Sequence, residues 1–148
     1  MKAAFVAWIL AFAAFPAVAA DPIDWQPSKT DTWKNFTRHH FTVDGRDCWV
    51  AVPPKPAEGN SWVWCMEFPT AFDDRTGVVP LVEGGFHYVY MNVGNTFGCP
   101  SAQAQLDAFY RHLVAKGLNA KATLIGVSRG GLYAYRFAAA DPERVTCI

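Results

Sequence analysis

The chain opens on an unbroken apolar run, Ala3 to Phe15, preceded by Lys2 and closed by Pro16 and the small residues Ala17-Val18-Ala19-Ala20. A positive start, a short apolar stretch and a small-residue end are what a signal peptidase reads. The run falls short of the roughly 20 apolar residues that a membrane span needs. The pattern predicts a cleaved signal peptide over residues 1–20 rather than an uncleaved anchor, a secreted or periplasmic protein, and no stable membrane anchor after cleavage. Asp21 to Asn35 has no period, two prolines and isolated Trp25 and Trp33, and is expected to be an irregular arm, with residues 21–37 set apart from a domain over 38–148.

From His39 onward the periods are clear. His39 to Val43 alternates, Asp44-Gly45 turns, and Arg46 to Val52 alternates again, a strong hairpin signal. Pro53-Pro54-Lys55-Pro56 stops the ladder. Ser61 to Phe68 reads as an aromatic strand, Pro69 to Gly77 as a loop, and Val78 to Glu83 as a turn or two of helix before Gly84-Gly85. Phe86 to Val93 is nearly all apolar, the mark of a strand buried on both faces. Pro100 opens a helix whose stripe is Ala102, Leu106, Phe109, Tyr110 and Leu113, and Gly117 caps it. Ala122 to Val127 is another apolar strand, Gly130 to Ala140 an alanine-rich helix stopped by Asp141-Pro142, and Arg144 to Ile148 a last strand. Ala134, Ala138 and Ala139 are expected to let that helix lie close to the sheet. A hairpin followed by alternating strands and helices predicts an α/β fold: a mostly parallel, doubly wound sheet of about six strands with an antiparallel start.

Composition narrows the partners. Acids and bases balance at 13 each, and removing residues 1–20 takes away Lys2 alone. That leaves no basic excess for a nucleic acid. Cys48, Cys65, Cys99 and Cys147 show no metal-ligand spacing, so no metal site is expected. In an exported protein they are compatible with disulfides in any of three pairings, and equally with buried free thiols. Asn35-Phe36-Thr37 fits a glycosylation sequon, which has meaning only where the machinery exists.

The chemistry concentrates in Gly126-Val127-Ser128-Arg129-Gly130, a G-x-S-x-G pattern. Five residues alone say little. Here a buried-type strand leads into the turn and a helix leaves it, the arrangement that lifts a serine above a sheet as a nucleophile. Gly126 and Gly130 supply the small neighbours such a turn needs. The N–H of Arg129 follows the nucleophile and faces the place of an oxyanion, near a helix start. A dinucleotide or phosphate turn would read G-x-G-x-x-G or Gly-Lys-Ser/Thr, and neither is present.

Trp62 to Phe68, Gly85 to Val93, Phe97-Gly98-Cys99-Pro100 and Gly126 to Gly131 together resemble secreted bacterial α/β-hydrolases of esterase-like or prolyl-oligopeptidase-like type, over roughly residues 38–148. The resemblance implies the α/β-hydrolase fold, a Ser–Asp/Glu–His triad in that chain order, and a second oxyanion N–H from the loop after the third strand. That loop commonly begins His-Gly; here it reads Glu67-Phe68-Pro69. Pro69 has no N–H, so Phe68 is the candidate donor and Glu67 the next. At least two of Trp62, Trp64 and Phe68 are expected to be plain core.

The base is missing. His39, His40, His87 and His112 all precede Ser128, where the resemblance places the histidine well after it. Asp141 and Glu143, the only carboxylates after Ser128, fall in a helix-to-strand turn. The expectation is therefore the N-terminal part of a hydrolase, wanting about 100 further residues at the usual domain size. Residues 21–148 alone are expected to be inactive and poorly soluble through an unpaired sheet edge. The function expected of the whole is hydrolysis of a small-molecule or carbohydrate ester, with a serine peptidase as the alternative. No cofactor is implied. A reading from another class is a non-catalytic module that holds carbohydrate on exposed tryptophans.

Overall fold

Trp62, Val63, Trp64 and Cys65 are all buried. Consecutive strand residues point to opposite faces, so only a strand covered on both sides can bury all four. The computed structural model, which describes residues 23–148, places them at the centre of the sheet. The expected signal peptide over residues 1–20 lies outside the described residues.

Seven strands form one sheet: β1 (Lys29–Trp33), β2 (Phe36–Val43), β3 (Arg46–Ala51), β4 (Trp62–Cys65), β5 (His87–Met91), β6 (Ala122–Ile125) and β7 (Val145–Cys147). Their order across the sheet is β1-β2-β3-β5-β4-β6-β7. The first three and β5 pair antiparallel; β5, β4, β6 and β7 run parallel. The Asp44-Gly45 hairpin forms with both turn residues at positive φ. The helices are α1 (Asp73–Thr76), α2 (Val78–Glu83), α3 (Pro100–Lys116) and α4 (Gly130–Ala140). Among the described residues no helix is long and apolar enough to cross a membrane.

The structure adds β1, α1 and a 3-10 turn over Pro142–Arg144 to the sequence expectation. β1 lies inside the stretch expected to be irregular; four of its five residues are exposed and only Trp33 is buried, so it carries no apolar alternation to read. It pairs with β2 in register Thr30↔His39 and makes a seventh strand. α1 is a single turn inside the expected loop.

Each face has its own core. Trp62, Trp64, Val50 and Val89 pack with Leu106, Phe109 and Leu113 of α3 and Tyr133, Ala134 and Phe137 of α4. Val63, Cys65, Trp49 and Tyr88 pack with Val78 and Val82 of α2 on the other face. Of the three alanines expected to seat α4, Ala134 is buried and Ala138 half-buried, whereas Ala139 faces solvent. The four cysteines are free. Cys48 and Cys65 belong to opposite faces, and burial pushes their thiols up to about 12 and about 11. They behave as small core residues.

This topology fixes where a site forms. From β4 the chain passes over one face through α1 and α2 to β5; from β6 it passes over the other through α4 to β7. The two neighbouring strands send their following loops to opposite faces. The crevice they open at the carboxyl ends of β4 and β6 is the switch point where such sheets bind ligands.

Candidate active site

The last paired residues of β4 and β6 are Cys65 and Ile125, and Met66 N–H extends the ladder to the Ile125 carbonyl at 3.0 Å. Two or three residues further on stand Phe68 and Ser128. The sequence-expected site residues are thus brought to the switch point by two adjacent strands.

Ser128 is exposed, and its φ is +53°. A non-glycine residue in the left-handed region costs of order 1 kcal/mol or more and is held by its surroundings. The holding is visible. Gly130, Gly131 and Leu132 donate their N–H groups to the carbonyls of Val127, Ser128 and Arg129 at 2.8, 3.1 and 2.9 Å, starting α4 directly behind the serine. A Cβ at Gly126 would sit 2.8 Å from Gly131 Cα, and one at Gly130 would sit 3.1 Å from Glu67 Cβ. At Gly126 only glycine fits, and at Gly130 a side chain would have to push Glu67 aside by a few tenths of an ångström. The N–H of Arg129 donates no hydrogen bond among the described residues, and neither does Ser128 Oγ make one. An exposed hydroxyl beside a free main-chain N–H at a helix start suits an acyl-transfer nucleophile with its oxyanion donor.

Phe68 also has a positive φ, +53°, and its N–H lies 3.4 Å from Oε1 of Glu67. The loop is propped from below: the buried Tyr88 hydroxyl donates to the Pro69 carbonyl at 2.5 Å, and Cys65 Sγ to the Glu67 carbonyl at 3.0 Å. Of Trp62, Trp64 and Phe68, the two tryptophans are core and Phe68 is exposed.

The side-chain contacts of Arg129 were not legible in the sequence. The Arg129 side chain reaches Glu67 (Nε to Oε2, 3.5 Å) and the Asn95 side-chain oxygen. Its guanidinium lies 5.0 Å from the Phe68 ring centre and 5.3 Å from that of Phe97. Asn95 and Phe97 come from the loop after β5, which Thr96 ties to α4 through the Tyr133 hydroxyl at 3.0 Å. They arrive from a third strand end, and nothing local in the sequence points either of them at Arg129.

The histidines lie elsewhere. His39 Nδ1 bonds Ser28 Oγ at 2.9 Å and His40 Nε2 pairs with Asp31 at 3.0 Å. Both are on β2, four strands from β6 and so about 19 Å across the sheet. His87 is the first residue of β5, at the end of the sheet opposite the elbow. His112, on α3, stacks on Phe41 at 5.6 Å. Asp141 pairs with Arg144 at 2.6 Å and Glu143 with Lys121 at 3.8 Å, beyond the far end of α4. Among the described residues no three metal-ligating side chains converge. The five described tryptophans are all buried, which removes the premise of a carbohydrate platform of exposed tryptophans. Core packing has claimed them.

No protein-family model matches the chain, and no curated protein matches it significantly. Solved structures do. Cfl2 from Burkholderia cenocepacia aligns with a TM-score of 0.54 at 19% identity, over 80% of this chain and 42% of that one. A bacterial membrane phospholipase A aligns at 0.52 and 20% identity, over 74% and 37%. An alpha/beta hydrolase fold protein from Chitinophaga pinensis aligns at 0.52 and 14% identity, over 80% and 42%. The chain thus spans about two fifths of the length of structures it matches, and it has the α/β-hydrolase fold.

Proposed function

We propose that the whole protein is a serine hydrolase that cleaves an ester through an acyl-enzyme on Ser128. The observation that carries this reading is the exposed, positive-φ Ser128 at the switch point, with the free N–H of Arg129 behind it. In the proposed reaction Ser128 Oγ gives its proton to a base and attacks the acyl carbon. The N–H groups of Arg129 and Phe68 receive the resulting oxyanion. The alcohol leaves with the proton, and water then releases the acid and frees the serine. No described histidine reaches Ser128, so the reading places the base and its carboxylate outside residues 23–148. The step needs no cofactor.

An ester is favoured by the apolar mouth. Phe68, Phe97 and Leu132 are exposed around the elbow, and the Arg129 guanidinium beside them is engaged by Glu67 and Asn95. A structure similar to this chain is described as a phospholipase A, which suits such a mouth. The test is labelling of the full-length protein with a fluorophosphonate, followed by turnover of p-nitrophenyl esters against peptide anilides. Label on Ser128 that vanishes in Ser128→Ala, with ester turnover, is expected; equal labelling of the two proteins rejects the reading. Export is proposed with it: amino-terminal sequencing of the mature protein is expected to begin at Asp21, and a retained Met1 would refute cleavage.

A further inference from the structure

Glu67 is one of three buried polar or charged residues among those described. Its carboxylate stands in an unexpected place. Oε1 lies 3.4 Å from the Phe68 N–H, and Oε2 lies 3.5 Å from Arg129 Nε. Its Cβ lies beside Gly130 at the start of α4, and the residue is 7% exposed, so the carboxylate is held in the crevice rather than in solvent. If Phe68 N–H receives an oxyanion, a negative carboxylate already rests on that donor. Two like charges a few ångströms apart in a partly buried crevice repel strongly enough to slow acyl transfer by one or two powers of ten.

Arg129 answers this charge. Its Nε is buried and makes no hydrogen bond among the described residues, and the Glu67 carboxylate is its nearest charged partner. The guanidinium is fixed on the remaining sides by the Asn95 oxygen and by the rings of Phe68 and Phe97. Three loops, from the ends of β4, β5 and β6, thus hold one cation against one carboxylate at the oxyanion position.

We propose that Arg129 is a positioning residue whose guanidinium offsets the charge of Glu67, so that the carboxylate that accepts from the Phe68 N–H repels a negative charge developing there less strongly. Glu67 in turn ties Arg129 to the loop that carries this donor. The proposal rests on the serine-hydrolase reading. It makes a prediction of sign that a merely structural ion pair does not: removing the two partners has opposite effects.

The experiment measures the second-order rate of fluorophosphonate labelling of the full-length protein, in which Ser128 Oγ bonds to phosphorus and fluoride leaves. Phosphonylation develops charge on the phosphoryl oxygen at the same position. Glu67→Gln keeps the shape and removes the charge, and is expected to label about threefold to tenfold faster. Arg129→Gln is expected to label at least about tenfold slower, with Arg129→Lys restoring most of the rate and Glu67→Gln restoring it in the Arg129→Gln background. Equal or slower labelling of Glu67→Gln overturns the charge role, whatever the arginine variants do. Absence of Ser128 label in the unaltered protein instead overturns the serine reading and this inference with it.

Discussion

At the scale of single residues, Gly126 and Gly131, at either end of the elbow, are present for different reasons. A methyl group at Gly126 would press on Gly131 Cα at 2.8 Å and Gly131 N at 2.9 Å. Both are backbone atoms and cannot rotate away. Gly126→Ala is therefore expected to cost about 1–3 kcal/mol and to misplace Ser128. A lower urea midpoint together with slower fluorophosphonate labelling would show it, and unchanged values in both would refute the close-packing argument. Gly131 is the contrast. A Cβ there meets nothing nearer than Gly126 O at 3.9 Å, and the residue lies in the first turn of α4 without a positive φ. Gly131→Ala is expected to be neutral or to stabilise by up to about 1 kcal/mol, since alanine gives up less chain entropy in a helix. Denaturant melts of the two variants side by side separate a glycine required by contact from one that is not.

At the scale of elements, β5 supports the site without belonging to it. Tyr88, 2% exposed, packs against Trp33 and Trp49 and sends its hydroxyl to the Pro69 carbonyl. That bond fixes the loop one residue beyond the Phe68 donor. Tyr88→Phe leaves the ring packing intact and removes the bond, so about 1 kcal/mol of stability and a severalfold loss in labelling rate are expected. A variant that melts and labels like the parent would show the loop to be held by other contacts. The same scale explains what could be read beforehand. Buried strands and amphipathic helices announce themselves by period, so α3, α4, β5 and the hairpin stand where the pattern of residues puts them. β1 announces nothing, because Lys29, Thr30, Asp31 and Thr32 form a solvated edge and only its pairing with β2 makes it a strand. The candidate site divides likewise. Ser128 is legible because strand, turn and helix are contiguous in sequence. The partners of Arg129 (Glu67, Asn95 and Phe97) are contributed by loops that only the strand order β5-β4-β6 brings together.

At the scale of the whole molecule, stability is coupled to pH through a histidine far from the elbow. His87, 1% exposed, begins β5 beneath Trp25, whose ring centre is 6.0 Å away, and its Nδ1 has no partner among the described residues. Burial lowers its pKa to about 4, with a small opposing effect from the Ser61 backbone. In the unfolded chain the ring titrates near its ordinary value of about 6.5. Above that pH both states are neutral and nothing is lost. Between about 6.5 and about 4 the unfolded chain takes up a proton that the folded one refuses, so stability falls as the pH falls. Below about 4 both are charged and the loss is complete. The full loss is about 3 kcal/mol for a shift of this size, a large part of the stability of a small domain. Trp25 belongs to the arm that Lys116 of α3 holds through the Asp24 carbonyl at 2.9 Å. Charging His87 therefore acts where the arm closes over the sheet. Denaturant melts at pH 7 and pH 4.5 should show the parent losing most of this stability and His87→Phe losing clearly less over the same interval. An identical loss in the two proteins would assign the acid sensitivity to other groups, and the neutral burial of His87 would then have no energetic weight.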